Sequence, residues 1–281
     1  MTAGPSDPVA TEGRLRSMVD LYTRTMTIAV MSQFQYRVSN YVYMIGMVAE
    51  PVIYLVVWST VARANGGSVS GYTAGGLAAY YIVWTLVRNM NIVFTPYGWE
   101  QRIRQGQLSG QLLRPVHPIH YDLAFFAGWK FVVILLWLPI AAVLSLPFRP
   151  TLHTSAGQVA VFAVAIWGAY LIRSMFLWLL GMVTSWTTRV GALFELFFVA
   201  ELLLSGRLVP MRIMPAWVRD VAGFLPFQWT FGFPIQSLVG PVTGRELLTG
   251  LGMQVLWTAI GAGLVALVWK RAVRQYSAVG N

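Results

Sequence analysis

Three carboxylates, Glu50, Glu195 and Glu201, and three basic side chains, Arg88, Lys130 and Arg173, stand inside otherwise apolar stretches. Such charges are costly in a bilayer, so they face a protein interior or a wet cavity. Two readings follow. The charges pair with one another, or one or more of the acids line the path of a cationic or polar solute. Catalysis is poorly served. Acid–base work on the carboxylates needs a histidine or metal beside them. His117 and His120 lie in a polar segment with Pro118 between them, and His153 is expected at the opposite face. There is no cysteine, HExxH, GxSxG or phosphate-cradling GxxxxGK[ST], so neither a metal site nor ATP hydrolysis is expected in this chain.

The elements that must carry these charges are membrane spans. The chain is 57% hydrophobic and 11% charged, against about 25% charged in an ordinary soluble domain, and its mean hydropathy is +0.61. The net charge of +10 is not read as a nucleic-acid footprint, because the basic residues cluster at the ends of apolar runs. Residues 1–13 read as a disordered tail. Residues 14–37 read as an interfacial amphipathic helix, with Leu15, Met18, Val19 and Tyr22 on one face and Arg14, Arg16, Asp20 and Arg24 on the other. No cleavable leader is evident in this stretch, so the first span is expected to act as its own insertion signal.

Spans are expected at about residues 38–61, 74–95, 123–146, 158–186, 191–204 and 247–269, with Thr73 capping the second. A very short link around Thr188 makes the fourth and fifth a hairpin. Arg173 lies 15 residues before Thr188 and Glu201 13 after it, within about 3 Å of one level at about 1.5 Å per residue. The same counting puts Glu50 at a similar depth and matches Arg88 with Glu195. Counted with both termini inside, Lys and Arg number 11 on the inner side and 6 on the outer, which favours six spans with cytoplasmic termini.

Two connections are more than linkers. Residues 98–121, GWEQRIRQGQLSGQLLRPVHPIH followed by Tyr121, mix charge with leucines at helical spacing and end in Arg114-Pro115. Trp99, Glu100, Arg102, Ile103, Arg104, Gly106, Leu108, Leu112 and Arg114 are the residues a cytosolic partner would grip. Residues 208–241 contain five prolines, including Pro210, Pro215 and Pro226. They cannot form one continuous span. Two short helices that dip in and return on the outer side are expected, with Trp217 and Trp229 at the headgroup level and Arg212 and Arg219 in water.

The whole pattern resembles the membrane subunit of an ABC-2 type exporter. The resemblance rests on RIRQGQLSGQLLRP between the second and third spans, on LSGRLVPMRIMPAWVRDVAGFLPFQWTFGFPIQSLVG before the last, and on the tail VWKRAVRQYSAVG. It looks closest to small bacterial permeases of the viologen-exporter-like branch. It implies an all-α fold in the bacterial cytoplasmic membrane, with 98–121 as the coupling segment and 208–241 as an outer lid. It also implies two copies of a separate ATPase carrying ATP and Mg, a second copy of the permease or a homologous one, and surrounding lipid. The cargo would be an amphiphilic or cationic small molecule, a drug or natural product, or a lipid-like substrate. Phe194, Phe197, Phe198 and Trp84 are candidates to line an apolar path. A secondary transporter or channel is the first alternative, though inverted repeats are not evident; an intramembrane enzyme is the second.

Overall fold

In the computed structural model, residues 8–35, 37–152, 154–187 and 190–276 are described. Arg189, His153 and the end of the C-terminal tail lie outside them. Eleven α-helices among the described residues follow in order: α1 Pro8–Gln35, α2 Arg37–Ala64, α3 Ala74–Met90, α4 Pro96–Arg104, α5 Gln107–Leu112, α6 Ile119–Phe148, α7 Ala156–Met182, α8 Gly191–Leu204, α9 Ala216–Gly223, α10 Gly232–Val239 and α11 Gly244–Gln275. A hairpin of two short strands, β1 Ser68–Val69 and β2 Tyr72–Thr73, joins α2 to α3.

Helix starts are written in the chain. Thr73 and Thr95 accept from the amides of Gly76 and Gly98 to cap α3 and α4. Capping boxes open α7 (Ser155 with Gln158) and α11 (Thr243 with Glu246), each satisfying two otherwise orphaned donors. Helix α1 begins at Pro8, so it takes in the second half of the stretch expected to be a tail.

Among the described residues three helices, α6, α7 and α11, are long and apolar enough to cross a membrane. Their outward faces are apolar, with Phe131, Leu135, Leu138 and Val143 on α6 and Val255, Leu256 and Leu264 on α11 all exposed. Helices α7 and α11 pack along each other. Small residues permit it: a Cβ on Gly168 would meet the Gln254 side chain at 2.5 Å, and one on Gly261 would meet Met175 at 2.8 Å. Helix α1 is packed as intimately along α6. A Cβ on Gly128 would lie 2.5 Å from the Met26 carbonyl oxygen, and the Tyr22 hydroxyl is 3.0 Å from His120 Nδ1. The amphipathic N-terminal helix is thus docked on the bundle through its Tyr22, Met26 and Ala29 side.

Helix α3 is the axis of the core. Every residue from Leu77 to Val87 is buried, and it packs on α2, α6 and α10. It ends at Met90, five residues before the expected limit of the span. The reason is tertiary. The Lys130 ammonium donates to the carbonyls of Asn89 and Ile92, the Arg173 guanidinium donates to that of Asn91, and the Asn91 side chain donates to Thr230 O. Cations on terminal carbonyls stabilise a helix C-terminus, and local periodicity carries no trace of partners on α6 and α7.

Candidate functional site

One end of the bundle is built by α4 and α5. Thr95 and Pro96 start α4, and Gly106, at φ 68°, lets the chain turn left-handed into α5. The buried side of this pair is a root. Trp99 packs against Trp178, with ring centroids 4.6 Å apart, and sits among Trp269 and His117. A Cβ on Gly181 would strike the Trp99 side chain at 2.8 Å, so a glycine is needed there. Arg102 makes two bonds to Asp122, at 3.0 and 2.8 Å, and lies 4.0 Å over the Phe94 ring. The Trp178 indole donates to the same carboxylate at 3.0 Å. Leu108 is buried, and Ser109 meets the Tyr276 hydroxyl at 2.9 Å, tying α5 to the end of α11.

The opposite side of the pair is open. Gln101, Arg104, Gln105, Gln107 and Arg114 are exposed, and Leu113 is 88% exposed. Glu100, Ile103, Gly106 and Leu112 are half-buried between the two sides. Arg104 pairs with Glu100 one turn earlier at 2.6 Å, a solvated contact worth little, and Arg114 covers the Tyr121 ring. Of the nine residues expected to be gripped, Trp99, Arg102 and Leu108 therefore face the bundle, where they hold the segment in place. Asp122 was missed by sequence reasoning. Its signal is position: it sits in the first turn of α6, where a carboxylate suits the helix N-terminus.

His117 stacks on Trp269, with centroids 4.4 Å apart, and its Nδ1 accepts from the Ile119 amide at 3.3 Å. Burial, with a smaller push from His120, lowers its pKa to about 4. It is a neutral structural histidine. Among the described residues no group of histidine and carboxylate side chains is arranged to hold a metal.

Of the charges that stand in apolar stretches, Arg173 with Glu201 and Arg88 with Glu50 form two ion-paired sets. Arg173 and Glu201 make a bidentate pair at 2.7 and 2.9 Å, as the level counting predicts. The matching of Arg88 with Glu195 is not realised. Arg88 pairs with Glu50 at 2.8 Å, while Glu195 accepts from the Tyr97 hydroxyl at 2.6 Å on an exposed surface. Arg207, next to Gly206 at φ 81°, reaches the other Glu50 oxygen at 3.7 Å. The rings of Trp84 and Phe194 are fully buried, and those of Phe197 and Phe198 are half-buried.

At the other end, α9 and α10 and two 3₁₀ turns occupy 208–241. The segment is stitched to the bundle by Tyr80 and Tyr81, which donate to Gly206 O and Leu208 O. Thr154 and Gln158 donate to Leu238 O and Gly240 O. Pro210 and Pro226 are buried, whereas Pro215 and Trp217 are exposed. Trp229 is half-buried against Phe233 and lines a cavity of about 310 Å³ with Arg212, Gln228, Gln236 and Arg245. It faces protein as much as any headgroup layer. Arg212 is held by Pro241 O and Glu246.

Comparison with curated proteins gives no match. A family model described as ABC-2 family transporter protein matches residues 48–280. That span takes in α3 to α11, the rooted α4–α5 pair and the stitched 208–241 segment. The chain belongs to the ABC-2 transporter family and is a multi-pass membrane permease.

Proposed function

We propose that this chain is the membrane-spanning subunit of an ATP-driven exporter and that its ATPase docks on the open face of α4–α5. The observation that carries the docking site is Leu113. A leucine 88% exposed beside Arg104, Gln107 and Arg114 is an apolar anchor within a polar rim, which is how protein interfaces are composed. The buried root turns that face into a lever. Force on Leu113 or Arg104 passes through Arg102 to Asp122 on α6 and through Trp99 to α7 and α11.

In this reading both termini and α4–α5 lie in the cytoplasm, and α2, α3 and α8 complete six spans with α6, α7 and α11. Helix α1 lies at the inner interface against α6. Residues 208–241 form an outer lid, and a second permease copy or a homologous permease completes the path. The membrane is the bacterial cytoplasmic membrane. ATP and Mg reside on two ATPase copies, and the cargo is an amphiphile.

Co-expression with the ATPase and affinity purification test the docking face. Arg104→Glu with Leu113→Asp is expected to reduce recovered ATPase at least tenfold while the permease inserts and purifies normally. Undiminished recovery would move the docking site elsewhere. A secondary transporter would retain no ATPase even as wild type.

A further inference from the structure

The cluster around Glu50 carries more positive than negative charge. Arg88 and Arg207 share the single Glu50 carboxylate, at 2.8 and 3.7 Å. Guanidinium groups stay protonated in proteins, so the triad bears one excess positive charge. The neighbouring Arg173–Glu201 pair is neutral in itself and offers no compensation. Arg207 lies within electrostatic range of both carboxylates, Glu50 and Glu201, and of the other two guanidiniums. The remaining carboxylates with described side chains are engaged elsewhere: Asp20 with Arg24, Glu100 with Arg104, Asp122 with Arg102, Glu195 with Tyr97 and Glu246 with Thr243. Asp220 is exposed on α9.

The excess charge is also reachable. The side chains of Glu50, Arg88 and Arg207 are 31%, 29% and 24% exposed, whereas Arg173 and Glu201 are 12% and 2% exposed. Aromatic rings floor the cluster: Arg88 lies 5.6 Å over Trp84 and Arg207 5.8 Å over Phe231. The Arg207 Nε is buried without a partner. Glu50 and Arg88 each sit 14 residues from the hairpin end of their helix, Ala64 and Ala74. At about 1.5 Å per residue that is a depth of roughly 21 Å, inside a hydrocarbon layer of about 30 Å. An uncompensated charge at that depth is expensive. An anion supplied by a ligand removes the expense.

We infer that Arg88, Arg207 and Glu50 form a binding site for the anionic headgroup, phosphate or carboxylate, of an amphiphile. This rests on the permease reading, in which α2 and α3 cross the membrane. It reverses the expectation from sequence that intramembrane acids attract a cationic cargo, because both acids of this region are already neutralised by arginine. The two guanidiniums supply forked donors suited to an anion, and Glu50 offsets only one of their two charges. The buried Trp84 and Phe231 rings back the two guanidiniums from within the core, and the hydrocarbon around the helices takes the chain of the amphiphile.

Native mass spectrometry of the purified chain, titrated with dodecyl phosphate, reads the site without the ATPase. A failure here therefore leaves the docking face standing, and a failed ATPase pull-down leaves this site standing. Arg207→Gln is expected to weaken dodecyl phosphate binding at least tenfold. Glu50→Gln, which adds to the excess charge, is expected to tighten it, so the two variants must move in opposite directions. Dodecyltrimethylammonium is expected not to compete. Competition by phosphatidylglycerol would assign the bilayer's own headgroups as the source, and its absence would assign a single-chain cargo; the anionic chemistry holds in both. Inorganic phosphate binding as tightly as dodecyl phosphate would overturn the amphiphile. Equal binding of the ammonium detergent, or no response to either variant, would overturn the site.

Discussion

Two arginine–carboxylate clusters in this molecule look alike in sequence and differ in their bookkeeping. At the root of α4, one guanidinium meets one carboxylate. Arg102 and Asp122 are bonded twice, the Trp178 indole satisfies the same carboxylate, and both side chains are buried. At Glu50, two guanidiniums meet one carboxylate, and all three side chains are partly open. A balanced, fully bonded cluster fixes geometry. An unbalanced, open one leaves a charge for something else to answer. The first suits transmission of force from the α4–α5 face, and the second suits recognition.

The largest expected effect breaks the balanced cluster. Asp122→Ala strands the Arg102 guanidinium in a buried site, and removal of one partner of a buried pair costs about 3–5 kcal/mol. The purified variant should show a markedly lower Tm, or fail to purify as a monodisperse species. A Tm equal to wild type would mean that Arg102 finds water or another partner.

Next in size is Gly181→Val. Its side chain must displace Trp99, whose atoms lie within 3.0 Å of even a Cβ at that position, and overpacking of this kind costs about 1–3 kcal/mol. The variant should lose ATPase association together with stability, since the root and the open face move as one. Retained association at reduced stability would uncouple the two faces.

Arg207→Gln sharpens the contrast from the other side. It leaves Glu50 and Arg88 as a neutral pair and removes the uncompensated charge, so the Tm without ligand is expected to equal or exceed that of wild type. A loss comparable to that of Asp122→Ala would show Arg207 to be structural.

The smallest effect is that of pH at His117. Its pKa of about 4 in the folded chain lies below the usual value near 6.5. The unfolded chain therefore binds more protons between these values, and stability falls as pH drops from about 6.5 toward 4. His117→Phe should flatten that part of the profile of Tm against pH. An unchanged slope would assign the acid sensitivity to other groups.

Much of the fold is legible in the sequence. Helix α8 occupies the expected 191–204 without change, Thr73 caps α3, and the pairing of Arg173 with Glu201 follows from counting residues on two arms of a hairpin. Counting fails where no hairpin constrains it. Arg88 pairs with Glu50 on α2, the helix before it in sequence, and Glu195 is left to Tyr97. Depth is legible from rise per residue, but facing is set by packing between distant helices. The same reason hides the early end of α3, whose last carbonyls are taken by Lys130 and Arg173. It also hides the inward aim of Arg102, whose partner lies 20 residues away. The α4–α5 segment was recognisable as special from its mixed charge and leucines. Which residues root it and which remain free needed the bundle.

The claim that the open face of α4–α5 carries the ATPase is tested most directly by cross-linking. The chain has no cysteine, so Leu113→Cys labelled with benzophenone maleimide gives one reactive position, and Leu135→Cys on the exposed apolar face of α6 gives the control. With the ATPase co-expressed, illumination should yield a permease–ATPase adduct from position 113 and none from 135. An ATPase that copurifies with the labelled permease yet cross-links from 135 and not from 113 would contradict the account.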